Sequence, residues 1–223
     1  MIRECSHCKA DGSWRCKSCI GHPLLCTQCC RDTHQASPFH RVQSWNGTFY
    51  EDAWLYQAGV CLYFGHKGNK CPAAMCNNDA MATRTDNLPD LPVPDEEMPL
   101  PDPDADQHTG DYDYLQANKD PTWTARQDAY GHPFILVVDR SGMHLLPAIW
   151  CQCHQHVGHE WQALDLQLYP ASGGLIRTVF TFECLDDFLA ESQECNTSHY
   201  HYIAKLRRFT NPIFPDTVPV CKP

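Results

Sequence analysis

The sequence predicts two small folded units: a metal-stabilised finger at the N-terminus, and a small α+β domain with a short antiparallel sheet and helices. Cysteine pairs and histidines crowd the first 45 residues, short apolar runs follow residue 121, and an acidic, proline-rich stretch lies between them. The chain has 223 residues, of which 43% are hydrophobic. This is enough apolar material to build a core in units of this size.

Composition divides the chain into four segments. The finger takes residues 1–45, and residues 46–80 contain a helix and a His/Cys segment that we expect to pack with the C-terminal domain. An acidic, proline-rich linker covers residues 85–120, and the α+β domain covers residues 121–215. Residues 85–114 contain ten acidic side chains and no lysine or arginine, so repulsion and proline favour an extended linker.

The net charge of −10 comes from this linker, because 17 acidic and 17 basic residues remain elsewhere. Residues 1–45 contain six basic and three acidic residues, a mild excess that permits an acidic partner. No apolar run approaches the roughly 18 residues of a membrane span, and no small-molecule substrate is evident. We therefore expect protein or DNA partners, and no membrane.

The chain contains 15 cysteines, and its first ten residues lack the apolar segment of a secretory signal. We therefore expect an intracellular, reducing compartment. In such a compartment, cysteines interleaved with histidines indicate metal binding before they indicate disulfides.

Residues 48–64 predict an amphipathic helix. Thr48 and Glu51 have the spacing of a capping box. The apolar side chains that would share one helical face are Phe49, Ala53, Tyr56, Val60 and Phe64.

The C-terminal segment shows strand and helix patterns in turn. "PFILVVD" and "MHLLPAIW" predict two strands joined by the turn "RSG", with Pro147 confining the second strand to an edge or a bulge. "LIRTVFTF" predicts a third strand. "ECLDDFLAESQE" and "SHYHYIAKLRRF" predict two amphipathic helices.

Eight candidate metal ligands stand in the first segment. Their order is Cys5-x2-Cys8-x7-Cys16-x2-Cys19-x6-Cys26-x2-Cys29-x4-His34-x5-His40. Each Cys-x2-Cys turn brings two thiolates to one ion, so the set completes two tetrahedral sites. Sulfur and imidazole select zinc over magnesium or calcium, and four protein ligands leave no position for a catalytic water. The spacing predicts two structural zinc ions.

Three cysteine pairs followed by a histidine pair resemble a B-box or ZZ-type finger rather than a RING. The resemblance implies a zinc-stabilised cross-brace finger with alternating pairs, whereas spacing alone also allows sequential pairing. One ion would bind Cys5, Cys8, Cys26 and Cys29, and the other would bind Cys16, Cys19, His34 and His40. Cys30 is expected to be a small apolar filler.

A third site is an open alternative. Its best-placed candidates are His66, Cys71, Cys151 and Cys153, which would join the two ends of the linker. Further candidates nearby in the sequence are Cys76, His144, His154, His156 and His159. The competing interpretation is a hairpin with two half-buried cysteines and solvent-exposed histidines.

The order and spacing of six longer segments form a second pattern in this sequence. They are "WRCKSC", "CCRDTHQASPFHRVQSWNGTFYEDAWLYQAG", "YFGHKGNKCP", "VVDRSGMHLLPAIWCQC", "LYPASGGLIRTVFTFECLDDF" and "YHYIAKLRRFTNP". Together they resemble the CxC-type cysteine-cluster region found next to Kyakuja-Dileera-Zisupton (KDZ) transposases, mainly in fungi. By this resemblance Cys151 and Cys153 are the name-giving Cys-x-Cys, and Gly142 and His144 precede it as Gly-x-His. It implies a zinc-stabilised, nuclear accessory module placed before an RNase H-like catalytic domain.

The leading hypothesis is therefore a non-catalytic module of a KDZ-type transposase, or a relic of one. It would act in DNA recognition, or in assembly with the transposase catalytic domain or other proteins. The cations that would contact DNA are Lys9, Arg15, Lys17, Arg31, Arg41, Lys205, Arg207 and Arg208. The alternative is a stand-alone B-box/ZZ-like module that self-associates or binds basic peptides.

A less favoured alternative is a fragment of an RNase H-like, magnesium-dependent nuclease. Asp139 ends a predicted strand, where such a fold places its first carboxylate, and Asp165, Asp186 and Asp187 follow it. Because Arg-Ser-Gly comes next, Asp139 is also an ordinary turn-starting residue. We expect no enzymatic activity and assign no catalytic residue.

Overall fold

The computed structural model describes residues 3–72, 127–153 and 158–218. The predicted linker at 85–120 and the further ligand candidates Cys76, His154 and His156 lie outside these residues. Within them the chain forms two β-sheets and four α-helices.

The N-terminal sheet is antiparallel and contains four short strands. They are β1 (Trp14–Cys16), β2 (Leu24–Leu25), β3 (Val42–Trp45) and β4 (Tyr50–Ala53), in the order β2-β1-β3-β4. Helix α1 (Thr27–His34) lies between β2 and β3 in the chain. Its N-cap is Cys26, whose sulfur accepts a hydrogen bond from the backbone N–H of Cys29.

The predicted helix at residues 48–64 is wrong. Its first part is β4, which pairs with β3 through a four-residue turn over 46–49, where Gly47 has φ of 105°. The Asn46 side-chain oxygen accepts hydrogen bonds from the backbone N–H groups of Thr48 and Phe49, which stabilises this turn. Only Leu55–Ala58 is helical, as a single 3-10 turn that ends at Gly59 with φ of 90°. The N-terminal sheet therefore continues past residue 45.

The C-terminal sheet contains five strands. They are β5 (Leu62–Tyr63), β6 (Phe134–Asp139), β7 (Gly142–Ile149), β8 (Leu168–Pro170) and β9 (Thr178–Thr181), in the order β5-β7-β6-β9-β8. The predicted β6–β7 hairpin and the predicted strand β9 are confirmed. A purely antiparallel sheet is wrong, because β9 inserts between β8 and β6 and runs parallel to β6.

Pro147 lies where the sheet can accommodate it. On one side β7 pairs with β6, and on the other side β5 pairs only with Ala148 and Ile149. In the described part of the chain, no strand faces the outer side of Pro147. Its missing N–H therefore costs no ladder hydrogen bond.

Three helices flank the C-terminal sheet. They are α2 (His159–Asp165), α3 (Phe182–Cys195) and α4 (His199–Thr210), and the last two confirm the predicted helices. Thr181 caps α3 and Ser198 caps α4, each accepting a backbone hydrogen bond through its side-chain oxygen. Short 3-10 turns cover His66–Gly68 and Pro215–Thr217. No helix in the described ranges is long and apolar enough to cross a membrane.

Strand β6 is buried on both faces and joins two apolar clusters. On one face Val137 belongs to a cluster that continues into the N-terminal sheet through Leu25 and Val42. On the other face Val138 packs in a cluster with Leu206 of α4. The finger and the C-terminal sheet therefore share one core.

Truncating Leu206 should destabilise the second cluster. Leu206 is fully buried, and Leu206→Ala should lower the free energy of unfolding by about 2–5 kcal/mol because it leaves a cavity. Urea denaturation of the metal-loaded chain measures this loss. The control is Leu189→Ala on α3, whose side chain is 56% exposed and whose loss should cost about 0.5 kcal/mol or less. Equal effects of the two changes would contradict the assignment of Leu206 to a packed core.

Candidate metal centres

The structure gathers the predicted cysteine and histidine ligands into three groups of four. In each group the ligand atoms all lie within 4.8 Å of one another. Site 1 contains Cys5, Cys8, Cys26 and Cys29; site 2 contains Cys16, Cys19, His34 and His40; site 3 contains His66, Cys71, Cys151 and Cys153. Each group could hold a metal ion, and the described residues contain no other group of this kind.

Site 1 joins an N-terminal turn to the start of α1. Cys26 is the N-cap of this helix, and Cys29 lies in its first turn. The Cys5 turn closes with a hydrogen bond from the N–H of Lys9 to the Cys5 carbonyl at 3.0 Å, and Lys9 has φ of 67°. The sulfurs of Cys8 and Cys26 are 3.6 Å apart. A zinc ion about 2.3 Å from each of two sulfurs would place them roughly 3.8 Å apart, so the geometry fits.

Site 2 joins the end of β1, the end of α1 and the loop before β3. The Cys19 sulfur lies 3.5 Å from Nε2 of His34 and 3.3 Å from Nδ1 of His40. The Cys16 sulfur lies 3.7 Å from Nδ1 of His40. These distances match two ligands that share one tetrahedral ion.

A second hydrogen bond determines which His34 nitrogen faces site 2. His34 is completely buried, and its Nδ1 donates to the backbone carbonyl of Cys30 at 2.8 Å. This bond orients the ring so that Nε2 faces the ligand group, the arrangement usual for metal-binding histidines. Cys30 itself is buried beside the site and is not one of its four ligands, as its position next to Cys29 predicts.

Hydrogen bonds favour one thiolate in each of these two sites. Burial raises the pKa of Cys5, but hydrogen bonds from backbone N–H groups, chiefly that of Cys8, bring it down to about 6. Burial also opposes ionisation of Cys16, but the His34 side chain and the N–H of Cys19 lower its pKa to about 6. The thiolate is the form that binds a metal, so each site contains a sulfur close to its binding form at neutral pH.

Site 3 connects two segments that are far apart in the sequence. The Cys151 sulfur lies 3.1 Å from Nε2 of His66 and 3.6 Å from the Cys71 sulfur. The sulfurs of Cys71 and Cys153 are 3.2 Å apart. Of the other sequence candidates within the described residues, His144 bonds to Ser141 and His159 stacks on Trp150, so neither joins this group.

Two residues that the sequence did not single out shape site 3. Gln162 of α2 accepts a hydrogen bond from the N–H of Cys151 at 3.0 Å and donates one to its carbonyl at 3.3 Å. Gly65 has φ of 81°, and a Cβ there would lie 2.6 Å from Cβ of Cys151. Gln162 has no recognisable sequence signal, whereas Gly65 stands directly before a candidate ligand.

Adding a side chain at Gly65 should weaken site 3 selectively. Gly65→Ala combines an unfavourable positive φ with an overlap between the added Cβ and the Cys151 side chain. We expect this variant to release the third ion at about tenfold lower chelator concentration, while the first two ions are retained. Ion counting by native mass spectrometry across a chelator series measures this. Gly131→Ala is the matched control, because Gly131 also has φ of 83° but nothing lies within 4 Å of its added Cβ. Equal ion loss in both variants would contradict the close approach at Cys151.

The remaining described cysteines are not ligands in any group. Cys61 and Cys184 are buried, and burial raises the pKa of Cys61 to about 12 and that of Cys184 to about 11. Cys195 is exposed at the end of α3.

Most of the predicted DNA-contacting cations engage other groups of the chain. Arg41 is half-buried between the two sheets and donates to the backbone carbonyls of Ser141 and Thr210. Five others contact neighbouring side chains: Arg15 with Gln43, Lys17 with Asp52, Arg31 with Gln28, Lys205 with Asp187, and Arg207 with Asp216. Lys9 and Arg208 are exposed.

The acidic residues of the nuclease alternative do not come together. The Asp139 carboxylate is buried and accepts hydrogen bonds from the N–H and hydroxyl of Ser141 and from the hydroxyl of Thr181. Burial opposes its ionisation, but these bonds bring the net pKa of Asp139 below its usual value. Asp187 bonds to Tyr202, while Asp165 and Asp186 are exposed. In the described ranges, no carboxylates gather into a group that could hold a metal.

Comparison with known protein families gives a match for the C-terminal part of the chain. Residues 116–213 match the CxC2 like cysteine cluster associated with KDZ transposases. This confirms the resemblance for that stretch, which we call the CxC2 region. It covers less than half of the chain and includes Cys151 and Cys153, but not His66 or Cys71. No curated protein and no solved structure matches this chain.

The matched family is described as a cysteine cluster associated with KDZ transposases. The CxC2 region supplies the central hairpin β6–β7 and helices α2, α3 and α4. Two ligands of site 3 come from this region and two from the N-terminal part. Site 3 therefore crosses the boundary of the matched family.

Proposed function

We propose that the protein is a non-catalytic, zinc-binding accessory module of a KDZ-type DNA transposase, acting in protein assembly. The observation that carries this is the set of three four-ligand groups, each made only of cysteine and histidine. Four protein donors fill a tetrahedral zinc shell, which is typical of structural ions and leaves no position for a reacting water. The CxC2 match supports a transposase as the partner.

The proposed metal is zinc at all three sites. Thiolate with imidazole in four-coordinate geometry suits zinc, whereas magnesium and calcium take oxygen ligands. In the N-terminal part, the first cysteine pair groups with the third, and the second pair groups with the two histidines. This alternation supports a cross-brace finger of the B-box or ZZ type. A transposase partner also implies a nuclear location.

Protein assembly is favoured over DNA recognition because the candidate cations are largely used inside the chain. Arg41 bonds to two backbone carbonyls, and Lys205 pairs with the carboxylates of Asp187 and Glu191. DNA binding depends on several cations that face phosphates together. Outside residues 85–114 the chain has equal numbers of acidic and basic residues, so it has no net cationic surplus for phosphates.

Binding experiments separate the two roles. We expect the zinc-loaded chain to co-elute with a KDZ transposase catalytic domain in gel filtration, and to lose this after chelation. Duplex DNA in fluorescence anisotropy should bind weakly at 50 and 200 mM salt. Tight binding that falls about 10³-fold or more between these salt concentrations would overturn protein assembly in favour of DNA recognition. Lys9→Glu and Arg208→Glu would then test the two exposed cations.

A stand-alone interaction module is a second candidate, supported by the ten acidic residues at 85–114. This segment would attract a basic peptide by charge. Deleting residues 85–114 should then abolish binding of an arginine- and lysine-rich peptide measured by calorimetry, while the zinc count stays the same. Unchanged affinity would reject the second candidate and would leave the transposase module standing.

A further inference from the structure

One short segment of the N-terminal part both supplies a ligand and contacts the CxC2 region. His40 belongs to site 2. On one side of it, the Phe39 carbonyl oxygen lies 3.3 Å from the hydroxyl oxygen of Ser141, in the turn between β6 and β7. On the other side, Arg41 donates to the Ser141 carbonyl through Nε at 3.3 Å and Nη2 at 3.1 Å. His40 is therefore flanked by two residues, Phe39 and Arg41, that contact the β6–β7 turn.

The Arg41 guanidinium also reaches the end of α4. Its Nη1 donates to the Thr210 carbonyl at 2.9 Å, and its Nη2 donates to the Thr210 hydroxyl oxygen at 3.3 Å. Gly142 lies directly beneath the group, because a Cβ there would be 2.1 Å from Nη2 of Arg41. The turn is shaped to accept this side chain at close range.

These contacts continue into the core of the CxC2 region. The Thr210 hydroxyl oxygen accepts from the N–H of Met143 at 2.8 Å and donates to the Leu206 carbonyl at 2.8 Å. The Ser141 hydroxyl donates a hydrogen bond to the Asp139 carboxylate at 2.6 Å, which fixes the position of Ser141. A displacement of Arg41 would therefore disturb β7 and α4 together.

We propose that metal at site 2 controls docking of the N-terminal sheet onto the CxC2 region through Phe39 and Arg41. This inference rests on the metal binding proposed above. Coordination of His40 orders the segment from Phe39 to Arg41, and the ordered segment clamps the β6–β7 turn and the end of α4. Coupling of this kind is reciprocal, so docking must also tighten metal binding at site 2.

The reciprocal effect makes Arg41→Ala the main test. Hydrogen exchange of the full chain is measured in buffers of increasing free-zinc concentration. Peptides from residues 14–19 and 34–40 contain the site 2 ligands, so their protection reports metal binding at site 2. We expect the free-zinc concentration at half-protection to rise about fivefold or more, because the docked state no longer supports the ion. At saturating zinc, peptides covering 139–146 and 206–211 should exchange faster than in the wild type.

Arg15→Ala is the matched control. Arg15 also neighbours a site 2 ligand, Cys16, but its guanidinium bonds to Gln43 within the N-terminal sheet and stacks over Tyr50. It should leave exchange at 139–146 and 206–211 unchanged. Gly142→Ala is a second variant from the opposite side, and it should produce the same two changes as Arg41→Ala.

The reverse direction is tested by His40→Ala. We expect this variant to lose one ion and to lose protection at 139–146 and 206–211, although those residues contain no ligand of site 2. Loss of the ion with full protection there would overturn the coupling, as would unchanged zinc midpoints in both Arg41→Ala and Gly142→Ala. A wild-type chain that binds no zinc at site 2 would instead reject the metal proposal itself.

Discussion

Replacing Cys16 with serine should remove one zinc ion and unfold the N-terminal sheet. Cys16 ends β1, is 1% exposed, and groups with ligands from the end of α1 and from the loop before β3. The strands around it have only two to four residues each, so they bury little apolar surface. A structural zinc ion contributes an apparent binding free energy of about 10–16 kcal/mol, which such strands cannot replace.

Native mass spectrometry and circular dichroism measure this outcome together. The variant should contain one ion fewer than the wild type, and its melting transition should broaden and begin at a lower temperature. Cys195→Ser is the control, because Cys195 is exposed and belongs to no ligand group. A Cys16→Ser variant with the full ion count and an unchanged melting curve would reject a metal at site 2.

Replacing Cys151 and Cys153 together should reduce three bound ions to two. These cysteines contribute half of the ligands of site 3, and His66 and Cys71 contribute the rest. Strand β5 pairs with β7 through only two residue pairs. This short strand pairing by itself holds residues 62–72 only weakly against the CxC2 region. We therefore expect residues 62–72 to lose protection from hydrogen exchange in the Cys151→Ser, Cys153→Ser variant.

The double variant should leave the N-terminal sites intact. Peptides from residues 14–34 should keep their protection, and chelator titration should still show two ions. Two ions in both the wild type and the variant would reject site 3. Three ions in both would show that these cysteines are not needed for the third ion.

The ligand sets could be predicted because they depend on residue type and short spacing. A Cys-x2-Cys pair forms one turn whatever the rest of the chain does, so Cys5 with Cys8 and Cys16 with Cys19 are evident in the sequence. Spacing left two pairings of these turns open, and the resemblance to alternating fingers favoured one. The folded chain groups the pairs in that alternating way. Metal occupancy stays a prediction that the ion counts above test.

Residues 48–64 show where periodicity misleads. Apolar residues at helical spacing also occur in a strand, a 3-10 turn and a second strand placed end to end. The dipeptide Asn46-Gly47 is a strong hairpin signal, and it competes with the weaker capping-box spacing of Thr48 and Glu51. Hydrogen bonds from Asn46 and pairing with β3 decide in favour of the strand.

Residue type and local spacing alone predicted the three Cys-x2-Cys pairs, the β6–β7 hairpin and helices α3 and α4. Only the tertiary structure decided that β9 runs parallel to β6 and that Gln162 and Gly65 both lie against Cys151. It also decided that Arg41 donates hydrogen bonds within the chain. Each of these depends on contacts between residues far apart in the chain. The sequence shows only that Arg41 follows the candidate ligand His40, which fits a DNA contact as well as an internal one. The fold places its guanidinium against Gly142, 101 positions later in the chain.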